Sequence, residues 1–186
     1  MATSTSNRIR IIGGQWRSRV LEFPSAEGLR PTPDRVRETL FNWLGQDLSG
    51  KRCLDLFAGA GGLGFEALSR HAAHVCMVEN APAVHKALQL SAQKLDTAER
   101  LRLLRADALE FLRAGGEKYD VIFIDPPYGS DLLTQLWALL PAHLAVDAVV
   151  YAENARPIVM EPGWRTLKSG RAGGVYFYLF EYAANE

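Results

Sequence analysis

From residue 51 onward, short apolar runs alternate with amphipathic stretches, and that alternation constrains the fold more than any other feature of the sequence. Residues 53–57, 75–79, 101–104, 119–125 and 148–153 read as strands. Helices are expected over 63–69, from Asn80-Ala81-Pro82 to about residue 94, over 108–113 and over 130–140. Strands that are apolar on both faces must be covered on both faces, which a parallel sheet with helical crossovers achieves. Two further strand-like runs, 164–168 and 175–182, are separated by Gly170, Gly173 and Gly174 and predict an antiparallel pair at the sheet edge. The expected fold is therefore α/β, a seven-stranded, mostly parallel sheet with a C-terminal antiparallel strand. At 186 residues the chain suits one domain, and its 48% apolar content suffices for a real core. No apolar run approaches the roughly 20 residues a membrane span needs, so no membrane partner is expected.

The N-terminal quarter has a different character. Residues 1–7 are Ser/Thr-rich without the apolar stretch of a secretory signal, and are expected to be a disordered tail on a cytoplasmic protein. Residues 8–22 predict a hairpin, with Gly13-Gly14 as a turn; Pro24, Gly28, Pro31 and Pro33 mark an extended loop. Thr32-Pro33-Asp34 has the composition of a helix start, with Thr32 as cap, and Gly45 marks its end. This divides the chain into a tail (1–7), a basic hairpin and helix (8–50) and a main domain (51–186). The two cysteines, Cys53 and Cys76, lie in apolar runs and read as buried thiols. The four histidines show no ligand spacing with them, and no metal is expected.

Formal net charge is zero, with 21 basic and 21 acidic residues. A zero total argues against a nucleic-acid partner until it is divided. Up to Arg52 there are nine basic and five acidic residues; the remainder carries twelve and sixteen. The N-terminal segment is thus about +4 and the main domain about −4. Arg8, Arg10, Arg17, Arg19, Arg30, Arg35 and Arg37 dominate the basic set, and arginine suits phosphate recognition by its fork geometry and its stacking on bases. A solvated hairpin face would carry the same charges.

Gly59-Ala60-Gly61-Gly62-Leu63-Gly64 matches G-x-G-x-x-G after a strand and before a helix. Glycine there permits a sharp turn and close approach to a ligand. Glu79 ends the next strand, where a carboxylate can hold two ribose hydroxyls. The loop alone leaves a dinucleotide site, an S-adenosylmethionine site and a purely structural turn all open. Asp55 tilts the balance, because a carboxylate close to a pyrophosphate is repelled by it. The run Asp55-Leu-Phe57-Ala58-Gly59-Ala-Gly61 resembles the first motif of Rossmann-like methyltransferases, whose acidic residue positions the aminoacyl end of the methyl donor. In that resemblance Asp107-Ala108 stands where an adenine contact lies, although Asp107 also reads as an ordinary helix cap.

Asp125-Pro126-Pro127-Tyr128 ends the fourth strand, on the sheet edge where open α/β folds bind ligands. Two prolines fix the backbone and donate no N–H, leaving rigid carbonyl acceptors. Asp125 adds a carboxylate acceptor and Tyr128 a flat ring. Two acceptors can hold both hydrogens of an exocyclic base amine, and a ring can stack on the base, for about 1–3 kcal/mol. The run resembles the [Asp/Asn]-Pro-Pro-[Phe/Tyr] motif of amino-methyltransferases acting on adenine N6, cytosine N4 or guanine N2.

Arg8-Ile-Arg-Ile-Ile-Gly-Gly-Gln-Trp-Arg17 and Leu29-Arg-Pro-Thr-Pro-Asp-Arg-Val-Arg-Glu-Thr-Leu-Phe-Asn-Trp-Leu44, taken with residues 55–64, Glu79 and 125–128, make the chain similar to the RsmD family of bacterial 16S rRNA guanine-N2 methyltransferases. The resemblance covers nearly the whole chain and is weakest in its C-terminal third. It implies a Rossmann-like class I methyltransferase with a small N-terminal β-hairpin extension. The implied reaction transfers methyl from S-adenosylmethionine to N2 of one guanine of 16S rRNA in an assembled or assembling small ribosomal subunit. The enzyme would be a monomer using no metal and releasing S-adenosylhomocysteine. The donor would contact Asp55, Phe57, Ala58, Gly59, Gly61, Gly64, Glu79, Asn80, Asp107, Ala108 and Asp125. The target base would meet Asp125, Pro126, Pro127 and Tyr128, and the seven arginines would meet RNA. Pro33 stands where many relatives have Thr, a harmless change at a helix start, and Asn80 stands where an acidic residue also occurs. Rival expectations are an adenine-N6 methyltransferase acting on DNA or RNA, an NAD-dependent oxidoreductase and a non-catalytic RNA-binding module.

Overall fold

A computed structural model describes residues 7–127 and 131–183. The main sheet has the strand order β5-β4-β3-β6-β7-β9-β8, built from β3 (Arg52–Asp55), β4 (His74–Val78), β5 (Leu101–Leu104), β6 (Tyr119–Ile124), β7 (Leu144–Asn154), β8 (Trp164–Ala172) and β9 (Val175–Tyr182). The first five run parallel; β9 is antiparallel to both β7 and β8. A separate two-stranded antiparallel ribbon pairs β1 (Asn7–Arg10) with β2 (Val20–Phe23). The seven-stranded α/β sheet with its N-terminal hairpin is thus as expected.

Strand alternation sorts the two faces. Cys53, Val121, Phe123 and Tyr151 enter one core, under α1 (Asp34–Trp43), α2 (Gly62–Ser69), α3 (Pro82–Leu95) and the hairpin. Leu54, Ile122, Ile124 and Val150 enter the other, under α4 (Ala108–Arg113) and α5 (Leu132–Leu139). The hairpin and α1 share the first core, through Ile9, Leu21, Phe23, Leu40 and Phe41. Both cysteines are buried free thiols.

The segment between β1 and β2 is bolted to the end of α2. Glu66, fully buried, accepts the backbone N–H of Ile12 at 2.9 Å and of Gly13 at 2.8 Å. Ser69 Oγ accepts from the Trp16 N–H and donates to the Gly13 carbonyl. Gly14, at φ +76°, lies so close that a Cβ would stand 1.9 Å from the Ser69 carbonyl oxygen. The hairpin connection is therefore a docked loop rather than a two-residue turn.

Several element ends differ from expectation for identifiable reasons. Asn7 belongs to β1, and residues 1–6 of the expected tail lie outside the described residues. Strand β7 starts four residues early, at Leu144 opposite Tyr119, and passes through an irregularity in which Asp147 takes a φ of 57°. Gly170 is not a turn residue but lies within β8, where a Cβ would meet the Phe177 ring at 2.4 Å. Gly173-Gly174 alone makes the turn. Helix α1 begins after Pro33 with no side-chain cap, and Thr32 is turned elsewhere.

Candidate active site

The strand order reverses between β3 and β6, and a crevice opens there at the carboxyl ends of the parallel strands, as open α/β sheets dictate. It encloses about 710 Å³. One end is walled by residues 79–82 and 105–108, the other by residues 125–127 and 26–32, with 55–60 between.

Asp55 is 2% exposed and accepts the Gly64 N–H at 3.0 Å, tying β3 to the first turn of α2. Burial pushes its carboxyl up to about 7, helped by the neighbouring charges of Glu79 and Glu153 and opposed by backbone N–H groups of Gly64 and Phe57. Glu79 leaves β4 and accepts the Gly59 N–H at 2.9 Å and the Ala81 N–H at 2.8 Å. Each of its oxygens keeps a lone pair for a ligand hydroxyl. Ala81, not Asn80, occupies the cap of α3, and Asn80 instead lines the crevice. Asp107 caps α4 through the Glu110 N–H at 3.0 Å and also lines the crevice, beside Ala108.

Of the residues expected to contact the donor, Phe57, Ala58 and Gly59 line the crevice. Gly61 and Gly64 do not: they lie behind its wall and shape it. Gly61 takes φ +83° at the start of α2, and its N–H goes to the Ala58 carbonyl. A Cβ on Gly64 would meet Met77 at 2.3 Å, so that glycine lets α2 lie against β4.

At the other end Asp125, Pro126 and Pro127 line the crevice just beyond β6. Tyr128 lies outside the described residues. Asp125 is held well above the ordinary carboxylate range by burial and by the charges of Glu153 and Asp55. Thr32 faces it, with Oγ1 3.5 Å from Asp125 Oδ2. Glu153, on β7, is 2% exposed and accepts the Tyr151 hydroxyl at 2.7 Å; burial raises its carboxyl as well. Thr32 and Glu153 escaped the sequence reading. Glu153 ends the strand expected over 148–153, but its place beside Asp125 follows only from the pairing of β7 with β6.

Six of the seven arginines are exposed: Arg8, Arg10, Arg17, Arg19, Arg30 and Arg35. Arg30 lines the crevice, and a groove lined by Arg8, Arg10 and Lys94, together with Glu22 and Asp34, meets it at Pro31 and Thr32. Arg37 corrects the expectation of an RNA contact. It is 1% exposed and spends its guanidinium on the Thr32 and Arg10 carbonyls, Asp34 and Glu66. Among the described residues no cluster of His, Cys, Asp or Glu is arranged to hold a metal, and no helix is long and apolar enough to cross a membrane.

Residues 9–181 match the family model described as Conserved hypothetical protein 95. Ribosomal RNA small subunit methyltransferase D of Escherichia coli (strain K12) is 42% identical over 187 residues, covering 97% of this chain and 93% of that protein. The chain belongs to the RsmD family. The Haemophilus influenzae protein of the same name is 38% identical, covering 96% of each chain. The solved structure of yhhF from Escherichia coli superposes with a TM-score of 0.85 at 40% identity, covering 96% of this chain and all of that one. RsmD-family membership therefore extends over the crevice, the hairpin and the C-terminal strands alike.

Proposed function

We propose that the protein transfers a methyl group from S-adenosylmethionine to the exocyclic N2 amine of a guanine in 16S rRNA, on a small ribosomal subunit or its precursor. One observation carries this reading. Glu79 and Asp107 at one end, Asp55 in the middle and Asp125-Pro126-Pro127 at the other line a single crevice of about 710 Å³.

The crevice suits a nucleoside carrying a cationic amino-acid tail. In this reading Glu79 takes the ribose hydroxyls and Asp107 the base, and buried Asp55 offers negative charge near the middle. Three N–H groups of the glycine loop are already engaged, Gly59 with Glu79, Gly64 with Asp55 and Gly61 with the Ala58 carbonyl, which disfavours a pyrophosphate there. When bound, S-adenosylmethionine supplies an electrophilic methyl on a sulfonium. Asp125 and the carbonyls of the proline pair accept the two amine hydrogens and turn the nitrogen lone pair toward the methyl. Tyr128 stacks on the base. Fixing both reactants supplies much of the acceleration. A base in a helix must first be unstacked, which suits an exposed nucleotide of a folded particle.

The exposed arginines of the N-terminal segment, with Arg30 at the crevice wall, support an RNA substrate, and the names of the relatives support the small subunit as its source. The reading places the enzyme in the cytoplasm as a monomer, with residues 8–50 docking RNA and 51–186 performing the transfer. Its test is tritiated methyl transfer to small-subunit particles followed by nucleoside analysis. N2-methylguanosine is expected; N6-methyladenosine overturns the choice of base, and no transfer with tight NAD binding overturns the reaction.

A further inference from the structure

We propose that the turn between β8 and β9, with Arg156 beside it, is a second RNA-docking surface, which holds the phosphate backbone of nucleotides flanking the target base. The inference rests on the RNA-methylation reading above and adds to it a surface in the C-terminal third of the chain.

Strand register places this turn at the crevice edge of the sheet. Asn154, at the carboxyl end of β7, lies opposite Tyr176, and Tyr176 lies opposite Arg171. Ile124 pairs with Ala152, so Asp125 falls one residue short of that row. Three strand steps, at about 4.8 Å each, put Arg171 roughly 15 Å from Asp125. Arg156 follows β7 where that strand leaves the same edge, and both arginines are exposed. The N-terminal ribbon stands on the other side. It lies against α3, where Arg19 donates to the Lys94 carbonyl at 2.7 Å, and α3 crosses between β4 and β5. RNA whose target base enters beside Asp125 therefore has basic surface on both flanks.

Charge divides the main domain in the same way. Residues 53–154 carry eight basic and thirteen acidic residues, whereas residues 155–176 carry four basic and one acidic. The chemistry at the turn suits phosphate. The Arg171 guanidinium lies over the Tyr176 ring, 4.9 Å from its centroid, and its Nε donates to the Gly173 carbonyl at 3.3 Å. Those contacts fix the fork without neutralising it. Neither Arg171 nor Arg156 forms an ion pair among the described residues. A fixed guanidinium with its terminal N–H groups left over can hold a phosphate by two parallel bonds. The backbone of the turn is bare as well. Gly173 takes φ +58°, as the first position of a tight hairpin turn requires. Gly174 takes no positive φ, and a Cβ there would meet nothing within 4 Å. Neither conformation nor packing asks for glycine at 174, whereas close approach of a ligand backbone favours it.

The test measures binding of the full chain to small-subunit particles over a salt series without donor, together with kcat and KM for methyl transfer and thermal melting. Replacing Arg156 and Arg171 together by Ala should lower the slope of log affinity against log salt by about 1.4–1.8. KM for particles should rise roughly tenfold, with kcat and melting temperature nearly unchanged. Arg165→Ala is the control. That residue pairs with Glu181 at the other end of β8, about 20 Å away by strand rise, and its loss should leave the slope alone. Gly174→Glu fits the turn and adds a repelling carboxylate, so it should weaken binding several-fold at low salt. If the double variant fails to fold, Gly174→Glu decides. An unchanged slope in the double variant, unweakened binding in Gly174→Glu, or an equal fall in Arg165→Ala overturns the inference and leaves these charges to guard the open edge of β8. A wild-type enzyme that binds particles but transfers no methyl overturns the parent reading instead, while the salt series still reads the turn.

Discussion

Two groups of buried charge lie on the same side of the sheet, and they are treated in opposite ways. At the end of α2, Glu66 receives two backbone N–H groups, the Arg70 guanidinium at 2.9 Å and the Arg37 guanidinium at 3.3 Å. Each of its oxygens is satisfied by an N–H and a cation. In and beside the crevice, Asp55, Asp125 and Glu153 have no cation among the described residues; all three are raised by burial, and Asp55 and Asp125 also by neighbouring carboxylates. The first cluster holds the N-terminal segment on the main domain. The second is an uncompensated cost, of the kind a protein carries where a guest will supply the missing charge. A sulfonium donor and an amine that turns cationic on methylation are guests of that kind.

Breaking the compensated cluster should produce the largest effect. Arg37→Met removes one guanidinium from buried Glu66 and strands the Thr32 and Arg10 carbonyls. We expect a loss of about 3–5 kcal/mol in urea unfolding, the usual consequence of removing one partner of a buried pair. The salt dependence of RNA binding should not change, since Arg37 is not exposed. A surface-like loss under 1 kcal/mol would show that the two clusters do not differ as described.

The uncompensated cluster should respond in activity rather than in folding. Asp125→Ala removes the carboxylate acceptor of the amine. Transfer is expected to drop by about 10³-fold, with donor affinity largely kept, measured by single-turnover methylation and calorimetry. Retention of more than a tenth of wild-type turnover would remove Asp125 from the reaction.

The contrast between the clusters also explains what the sequence revealed. Glu79 and Asp125 were legible because each ends an expected strand, and Asp55 because it opens the run that leads into the glycine turn. Glu153 ends a strand too, but no motif follows it; its meaning depends on the register of β7 beside β6. Thr32 precedes Pro-Asp and has the composition of a cap, yet its hydroxyl faces the Asp125 carboxyl, distant in sequence. Arg37 was misread for the reverse reason. It stands among exposed arginines, and only the docking of the hairpin on α2 turns it inward. Local chemistry announces strand ends and turns; partners chosen by tertiary packing do not show in it.

A smaller effect separates the carboxylates from one another. Asp55→Asn keeps an oxygen for the Gly64 N–H and removes the ionisable group. The wild-type carboxyl is raised to about 7, so its stabilising contribution is fully present near pH 4 and is lost as pH rises through about 7. The variant should therefore match wild type near pH 4 and melt higher at pH 8. Donor binding should change in the other direction: wild-type affinity rises with pH through about 7, whereas the variant binds weakly and with a flat profile. Equal melting curves at pH 8 would mean that Asp55 ionises at no cost.

The subtlest contrast is between buried Arg37 and its exposed neighbours. Arg8 is paired loosely with Glu22 at 3.4 Å, and Arg19 reaches the Lys94 carbonyl, so neither is committed as Arg37 is. Replacing Arg8, Arg10, Arg17 and Arg19 together by Ala should leave stability nearly unchanged, because exposed pairs contribute little. Each phosphate contact contributes a slope of about 0.7–0.9 to the dependence of log affinity on log salt. If all four arginines touch phosphate, the slope for small-subunit particles should fall by about three. A smaller fall counts how many of them reach RNA. An unchanged slope would assign the basic face to solvent and leave Arg30, at the crevice wall, and Arg35 as the remaining exposed candidates of the original seven.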